Sequence, residues 1–150
     1  MKITDVLRAE HTVFHHLFDH VETTTPRLRK LAEVKMLAAL VDRVLAPHSA
    51  TEDELFIEPL EHCFEQIGQR ETFHHEHEMM EETLAQVGKA KTLAEGKLHL
   101  LSAIAAGRKH FDKEERIVFP MAERVLKAKT LTYLGHEWIL RRAAVLKEEH

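Results

Sequence analysis

Apolar residues recur along this chain at helical intervals, with no strand-like alternation between turn clusters. From about Thr4 to Thr23, a first helix carries Val6, Leu7, His11, Phe14, Leu17, Phe18 and Val21, as far as the breaker-like run Thr23-Thr24-Thr25-Pro26. Thr25 as N-cap and Pro26 at the first helical position are expected to open a second helix. That helix is long, with an interruption expected at Pro47 and an end or bend at Pro59, because proline lacks an amide donor and crowds the preceding turn. Ile67-Gly68 closes the segment, and Glu71 to about Val87 reads as a third helix with Phe73, His77, Met80 and Leu84 on one stripe. Thr92 followed by Glu95 matches a capping box and opens a fourth helix to about Lys127, bent near Pro120. A fifth, Thr130 to Glu148, holds Trp138 and Leu140 and is expected to pack across the bundle. Phe14, Phe18, Phe56, Met80, Phe111 and Ile117 are the expected core.

With five glycines and four prolines in 150 residues and no shift in composition, the sequence predicts one all-helical domain over 1–150. A formal net charge of -4, spread over charges of mixed sign, supplies neither a basic face for nucleic acid nor a polybasic membrane anchor. No apolar run approaches the roughly 18 residues that span a bilayer, and MKITDVLRAEH lacks a signal-peptide core, so the expected compartment is the cytoplasm. The single cysteine, Cys63, cannot form an internal disulfide or a thiolate cluster and reads as a small hydrophobe.

Histidine changes the picture: 13 residues is several times the roughly 2 to 3% of an ordinary domain. Two segments, HSATEDELFIEP at 48 to 59 and HFDKEERIVFP at 110 to 120, share one order: His, Glu four later, an acidic neighbour, then aliphatic, Phe and Pro. Four residues is about one helical turn, so each segment projects an imidazole and a carboxylate from one face. A lone pair at this spacing is an ordinary exposed helix pair, but two copies are not. In an antiparallel bundle they imply a binuclear site, with a histidine capping each metal and the two carboxylates bridging. The first and third helices add Glu10-His11 and Glu76-His77. Imidazole with carboxylate suits iron, manganese or zinc, and argues against a structural zinc cluster or an iron–sulfur site.

This pattern resembles the hemerythrin-like family of cation-binding domains over roughly residues 4 to 127. The resemblance implies an up-and-down four-helix bundle with an additional C-terminal helix, holding two non-haem iron ions joined by an oxo or hydroxo bridge. Carried over position by position, the ligands are His11, His48, Glu52, His77, His110 and Glu114. Where the oxygen carriers have a second histidine on the third helix, this chain has Phe73; His74 and His15 are further candidates for a fifth histidine. The oxygen carriers also place an aspartate five after the fourth-helix histidine, an offset filled here by Glu115, so Glu114 and Glu115 both stand as the bridge.

Counting ligands connects the site to function. Five histidines leave one open position, suited to reversible O2 binding, whereas four leave two, suited to peroxide chemistry, NO binding or release of the metal. The leading expectation is a protein that binds O2 or a related small oxidant; an enzyme consuming H2O2 or NO, and an iron or oxygen sensor or iron-handling protein, are the alternatives. A haem bundle is disfavoured by the paired carboxylates. A ferritin-like centre needs two Glu-x-x-His motifs, of which Glu71 and His74 supply one. His20, His62, His99 and His136 read as hydrogen-bonded or exposed residues, and His16 and His75 as neighbours of ligands.

Overall fold

The amphipathic stripes fold as helices throughout a computed structural model that describes residues 1–66 and 70–148, with side chains for 1–62, 75–144 and Lys147. The helices are α1 (Ile3–Thr24), α2 (Leu31–Glu52), α3 (Glu58–Gln66), α4 (Arg70–Lys89), α5 (Leu93–Lys113), α6 (Phe119–Val125) and α7 (Ala128–Glu148). A π-helical turn, Asp53–Ile57, joins α2 to α3 without a break, and a second, Glu114–Val118, joins α5 to α6. The described residues therefore form five rods and no strand.

Two apolar clusters fill the interior. One gathers Ile3, Val6 and Leu7 with Leu55 to Ile57, Leu60, Val118, Phe119, Met121, Ala122, Leu131, Leu134 and Trp138. The other gathers Phe14, Phe18 and Val21 with residues of α2, α4 and α5 from Val34 to Leu45, Met80 to Val87 and Leu100 to Phe111. Following each rod from one cluster to the other gives its direction: α1 runs from the first to the second, α2 returns, and α5 again returns to the first through α6. Between the clusters, at the level where each rod crosses over, lie the buried polar residues His11, His48, Glu52, His77, His110 and Glu114.

The fifth rod, α7, caps the first cluster through Leu131, Leu134 and Trp138 and lies against α1 and α2. Its approach depends on Gly135, where a Cβ would fall 2.3 Å from the Met1 carbonyl oxygen and 2.9 Å from the Ile3 nitrogen, inside any tolerated contact. Arg141 of α7 also reaches Glu54 in the first π turn.

Pro26 and Pro47 behave differently from expectation. Thr25 and Pro26 do not open a helix: Thr25 is buried with αR backbone, and Thr25–Arg27 form a 3-10 turn that ends α1, where the missing amide of Pro26 leaves its ladder. The chain is extended at Leu28 and at Lys30, which is the N-cap residue of α2. Pro47 does not interrupt α2, which continues for five residues beyond it; the Pro47 carbonyl accepts a 2.8 Å hydrogen bond from the Thr51 hydroxyl. Pro59 and Pro120 also sit inside continuous rods, each two residues after the end of a π turn. Proline cannot make the usual amide bond and collides with the carbonyl four residues back, and the wider turn just ahead of it relieves that collision. The π turns thus keep one register relative to the prolines, although Glu52 precedes its proline by seven residues and Glu114 by six.

The capping box at the start of α5 is present in altered form. Thr92 accepts the Glu95 amide at 3.2 Å, while the Glu95 carboxylate accepts the amide of Lys91, not that of Thr92. Ile117 is exposed, not core, because Val118 and Phe119 take the inward positions after the π turn. Leu140 is likewise exposed, and Trp138 faces inward. Phe73 and Cys63 lie outside the described side chains.

Candidate metal centre

Each of the four main rods delivers polar side chains to the layer between the apolar clusters. His11 comes from α1, His48 and Glu52 from α2, His77 from α4, His110 from α5, and Glu114 from the first residue of the second π turn. All six are buried. One ligand atom each from Glu52, His77, His110 and Glu114 lie within 4.8 Å of one another, and the same holds for His11, His48 and Glu52. Glu52 belongs to both groups. Its Oε2 is 3.4 Å from His48 Nε2 and its Oε1 is 3.4 Å from His77 Nε2. Glu114 Oε1 lies 2.9 Å from His110 Nε2 and 3.9 Å from His11 Nε2, and the Nε2 atoms of His77 and His110 stand 2.7 Å apart.

The rings are oriented from behind. His48 Nδ1 donates to Glu10 at 2.7 Å, His110 Nδ1 to Glu76 at 2.7 Å, His77 Nδ1 to Asp53 at 3.0 Å and His11 Nδ1 to Glu115 at 3.1 Å. A carboxylate only accepts, so each of these bonds places a proton on Nδ1 and aims Nε2 into the layer. The pattern is reciprocal. The glutamate before His11 serves His48 and the glutamate before His77 serves His110, while the acid after Glu52 serves His77 and the acid after Glu114 serves His11. These four acids stand next to the predicted ligands in sequence, but their partners are on other helices, so spacing along the chain could not assign them.

Six atoms at the centre lack a hydrogen-bond partner: Nε2 of His11 and His48, and both carboxylate oxygens of Glu52 and of Glu114. Leaving one buried polar group unpaired costs about 1–3 kcal/mol, so such a concentration is costly unless something else satisfies it. The chemistry of these atoms, imidazole nitrogen lone pairs and carboxylate oxygens, is that of donors around a cation. The cluster can hold a metal ion.

The electrostatics of the metal-free cluster agree with that fit. Burial opposes charge on His48, but the Glu10 hydrogen bond and Glu52 overcome it and raise its pKa to about 9. Burial likewise opposes charge on His77, yet Asp53 and Glu52 bring it to about 10. For His11 burial wins and the pKa falls to about 3, although Glu52 lies close. Burial would raise Glu52, but His48 and His77 hold it well below the usual carboxylate range. Glu114 goes the other way: burial, then the charge of Glu52, pushes it well up. Glu76 is pulled down to about 2 by its hydrogen bond to His110, and Glu10 is lowered, against its burial, by His48 and Arg142. Without metal, Glu52 and the backing acids Glu10 and Asp53 therefore favour protons on His48 and His77. A cation entering the layer displaces them.

Of the further candidates, His15 does not reach the layer: it is half-buried, with Nε2 3.4 Å from Glu115 and Nδ1 3.3 Å from Arg108. Arg108 in turn bonds Glu22 and Asp19. Glu115 lies behind His11, and Glu114 is the acid facing the cluster. The side chain of His74 falls outside the described residues. His16, His20, His62, His75 and His136 are exposed and His99 half-buried, away from the cluster.

A buried imidazole–carboxylate cluster within a helical bundle is the class of site present. No family model matches the chain, and comparison with curated proteins and with solved structures likewise gives no significant match.

Proposed function

We propose that the layer is a non-haem di-iron centre of hemerythrin-like type, held by His11, His48, Glu52, His77, His110 and Glu114, and that it binds O2 or a related small oxidant. The observation that carries this reading is the set of six unpartnered donor atoms, together with a carboxylate behind every one of the four histidines. Glu52, with one oxygen toward His48 and the other toward His77, and Glu114, between His110 and His11, are the carboxylates that would be shared by the two ions. Iron bound there would supply reversible one-electron chemistry and open coordination positions for a small molecule.

The protein's own contribution is to orient the rings and to keep bulk water out. Glu10, Asp53, Glu76 and Glu115 fix the tautomer of each histidine, and such outer partners are worth about 10- to 100-fold in metal affinity. Phe111 stacks on the His11 ring with centroids 3.9 Å apart, Phe14 stands edge-on to His48 at 5.0 Å, and Phe119 lies 5.3 Å from His11. These rings form a dry wall on which a small neutral molecule is favoured over an ion.

Anaerobic addition of two equivalents of Fe(II) to the metal-free protein, followed by air, is expected to give the absorption spectrum of a bridged di-ferric pair. A protein that takes up no iron and stays featureless refutes the proposal. The second reading, turnover of H2O2 or NO, draws on the histidine count: four assemble among the described residues, which leaves two exchangeable positions. Peroxide-dependent O2 evolution that disappears in His110→Ala supports turnover, whereas reversible oxygenation without turnover supports binding alone.

A further inference from the structure

Each half of the layer has two histidines with an acid behind each, but the halves differ in what holds those acids. Behind His110, Glu76 offers one oxygen to the ring and the other to Lys113 Nζ at 3.0 Å. Lys113 directly precedes Glu114, so the cation comes from the same rod as the histidine it supports. The equivalent position in the first copy is Thr51, directly before Glu52, and its hydroxyl turns back to the Pro47 carbonyl. Behind His48, the second oxygen of Glu10 is met by Arg142 Nε at 3.0 Å, from α7. The same helix sets Trp138 edge-on against His48, centroids 5.5 Å apart. The helix outside the four main rods thus supplies to one half what the bundle supplies to the other.

We infer that α7, through Arg142 and Glu10, sets the affinity of the metal position bounded by His11 and His48, while the position bounded by His77 and His110 is set within the bundle through Lys113. Arg142 is a positioning residue: it contacts no ligand atom, but it holds the carboxylate that fixes the His48 ring. The two positions consequently fill in sequence. The first to fill is the one where, among the described residues, Glu52, His77, His110 and Glu114 already present donors within 4.8 Å of one another; at the other only His11, His48 and Glu52 meet that spacing, and Glu114 stands 3.9 Å from His11. Docking of α7 then governs the second.

The inference rests on the two-metal reading, and a titration separates the two. Metal-free wild-type protein, R142A, R142K and K113A are titrated anaerobically with Co(II), reading both the ligand-field absorption and the hyperfine-shifted imidazole N–H protons. Wild type is expected to bind two equivalents. R142A should keep one near-native equivalent and weaken the other about 10- to 100-fold, with the change at the His48 N–H proton. K113A should weaken the opposite equivalent and move the His110 N–H proton, and R142K should restore most of the R142A loss. Arg142 and Glu10 also line an open groove with Val13, Phe14, Leu17 and Val44, through which a small cation can reach Glu10. Added ethylguanidinium is therefore expected to rescue R142A.

Wild type that binds two equivalents, with R142A binding both as tightly, overturns the role of α7 and leaves the di-metal reading standing. An R142A that loses both equivalents equally, or that ethylguanidinium fails to restore, also overturns it, because the defect is then one of packing. Fewer than two equivalents in wild type overturns both.

Discussion

The polar layer and the apolar clusters on either side of it are equally buried, yet they are held together by opposite means. In the cluster around Phe18, every contact is complete without a ligand: Phe18 stacks near Phe111 with centroids 5.7 Å apart, and Gly107 leaves it room, since a Cβ there would lie 3.1 Å from the ring. In the layer, two imidazole nitrogens and four carboxylate oxygens are buried and unpartnered. Burial at about 25 cal/mol per Å² of apolar surface stabilises the clusters, whereas the layer on its own is a net cost. The lesson is that depth in the core does not measure contribution to stability. A cation held by these donors would offset that cost.

Metal removal should break this contrast most strongly. If the loaded protein is measured with metal at a thousandfold excess over its Kd, linkage gives about 4 kcal/mol of added stability, which for a chain of this size is a rise in Tm of roughly 8–16 °C. Chelation should abolish that rise, and a scanning calorimetry trace that does not move on chelation contradicts the metal centre. Phe18→Ala, in the second cluster, should cost about 3–5 kcal/mol in denaturant unfolding. That cost should be the same with and without metal, since Phe18 contributes no donor to the layer.

A substitution that separates the two regions more sharply is Glu114→Leu. Removing this one acid takes away the carboxylate 2.9 Å from His110 Nε2 and should reduce metal uptake and shrink the metal-induced rise in Tm, while the loss of one partner from a buried charged cluster should cost the metal-free protein about 3–5 kcal/mol. A variant that keeps the full metal-induced rise in Tm would show that Glu114 contributes nothing to holding the cation.

The smallest effect is the pH dependence of the metal-free protein. His48, His77 and Glu114 all have folded pKa values raised above their unfolded ones, so their contribution is complete below the unfolded values and is lost as pH rises through the folded ones. His11, lowered to about 3, and Glu52, also lowered, have unfolded values at or below about 6.5 and act in the acid range. Between pH 6.5 and 10 the contributions of His48 and His77 are lost, so the metal-free Tm should fall across that range. Metal binding runs the other way, because the protons it displaces are released more easily at high pH. The metal-induced rise in Tm should therefore grow with pH, and a rise that shrinks from pH 6.5 to 9 contradicts the proton displacement.

Much of the fold was legible in the sequence because helical periodicity and the spacing of four are properties of a single rod. The five helices, the inward faces of His48 with Glu52 and of His110 with Glu114, and the burial of Phe14, Phe18, Phe56, Met80 and Phe111 follow from the chain alone. Proline misled at Pro26, which lies in the turn that ends α1, and at Pro47, which stays inside α2. At Pro59 and Pro120 the rod continues through a π turn, whose wider winding eases the clash of proline with the preceding turn.

What the sequence by itself determined is which side chains each rod presents at the level of the layer. Only the tertiary structure decided how they pair: Glu10 with His48, Asp53 with His77, Glu76 with His110, Glu115 with His11, and Arg142 from α7 behind Glu10. It also decided between adjacent acids, turning Glu114 into the layer and Glu115 to the back of His11. The physical reason is one of register. Within a helix the rise of 1.5 Å per residue fixes neighbours from the sequence, but a contact between helices depends on how far one rod is slid and rotated against another, which the packing of the two apolar clusters sets.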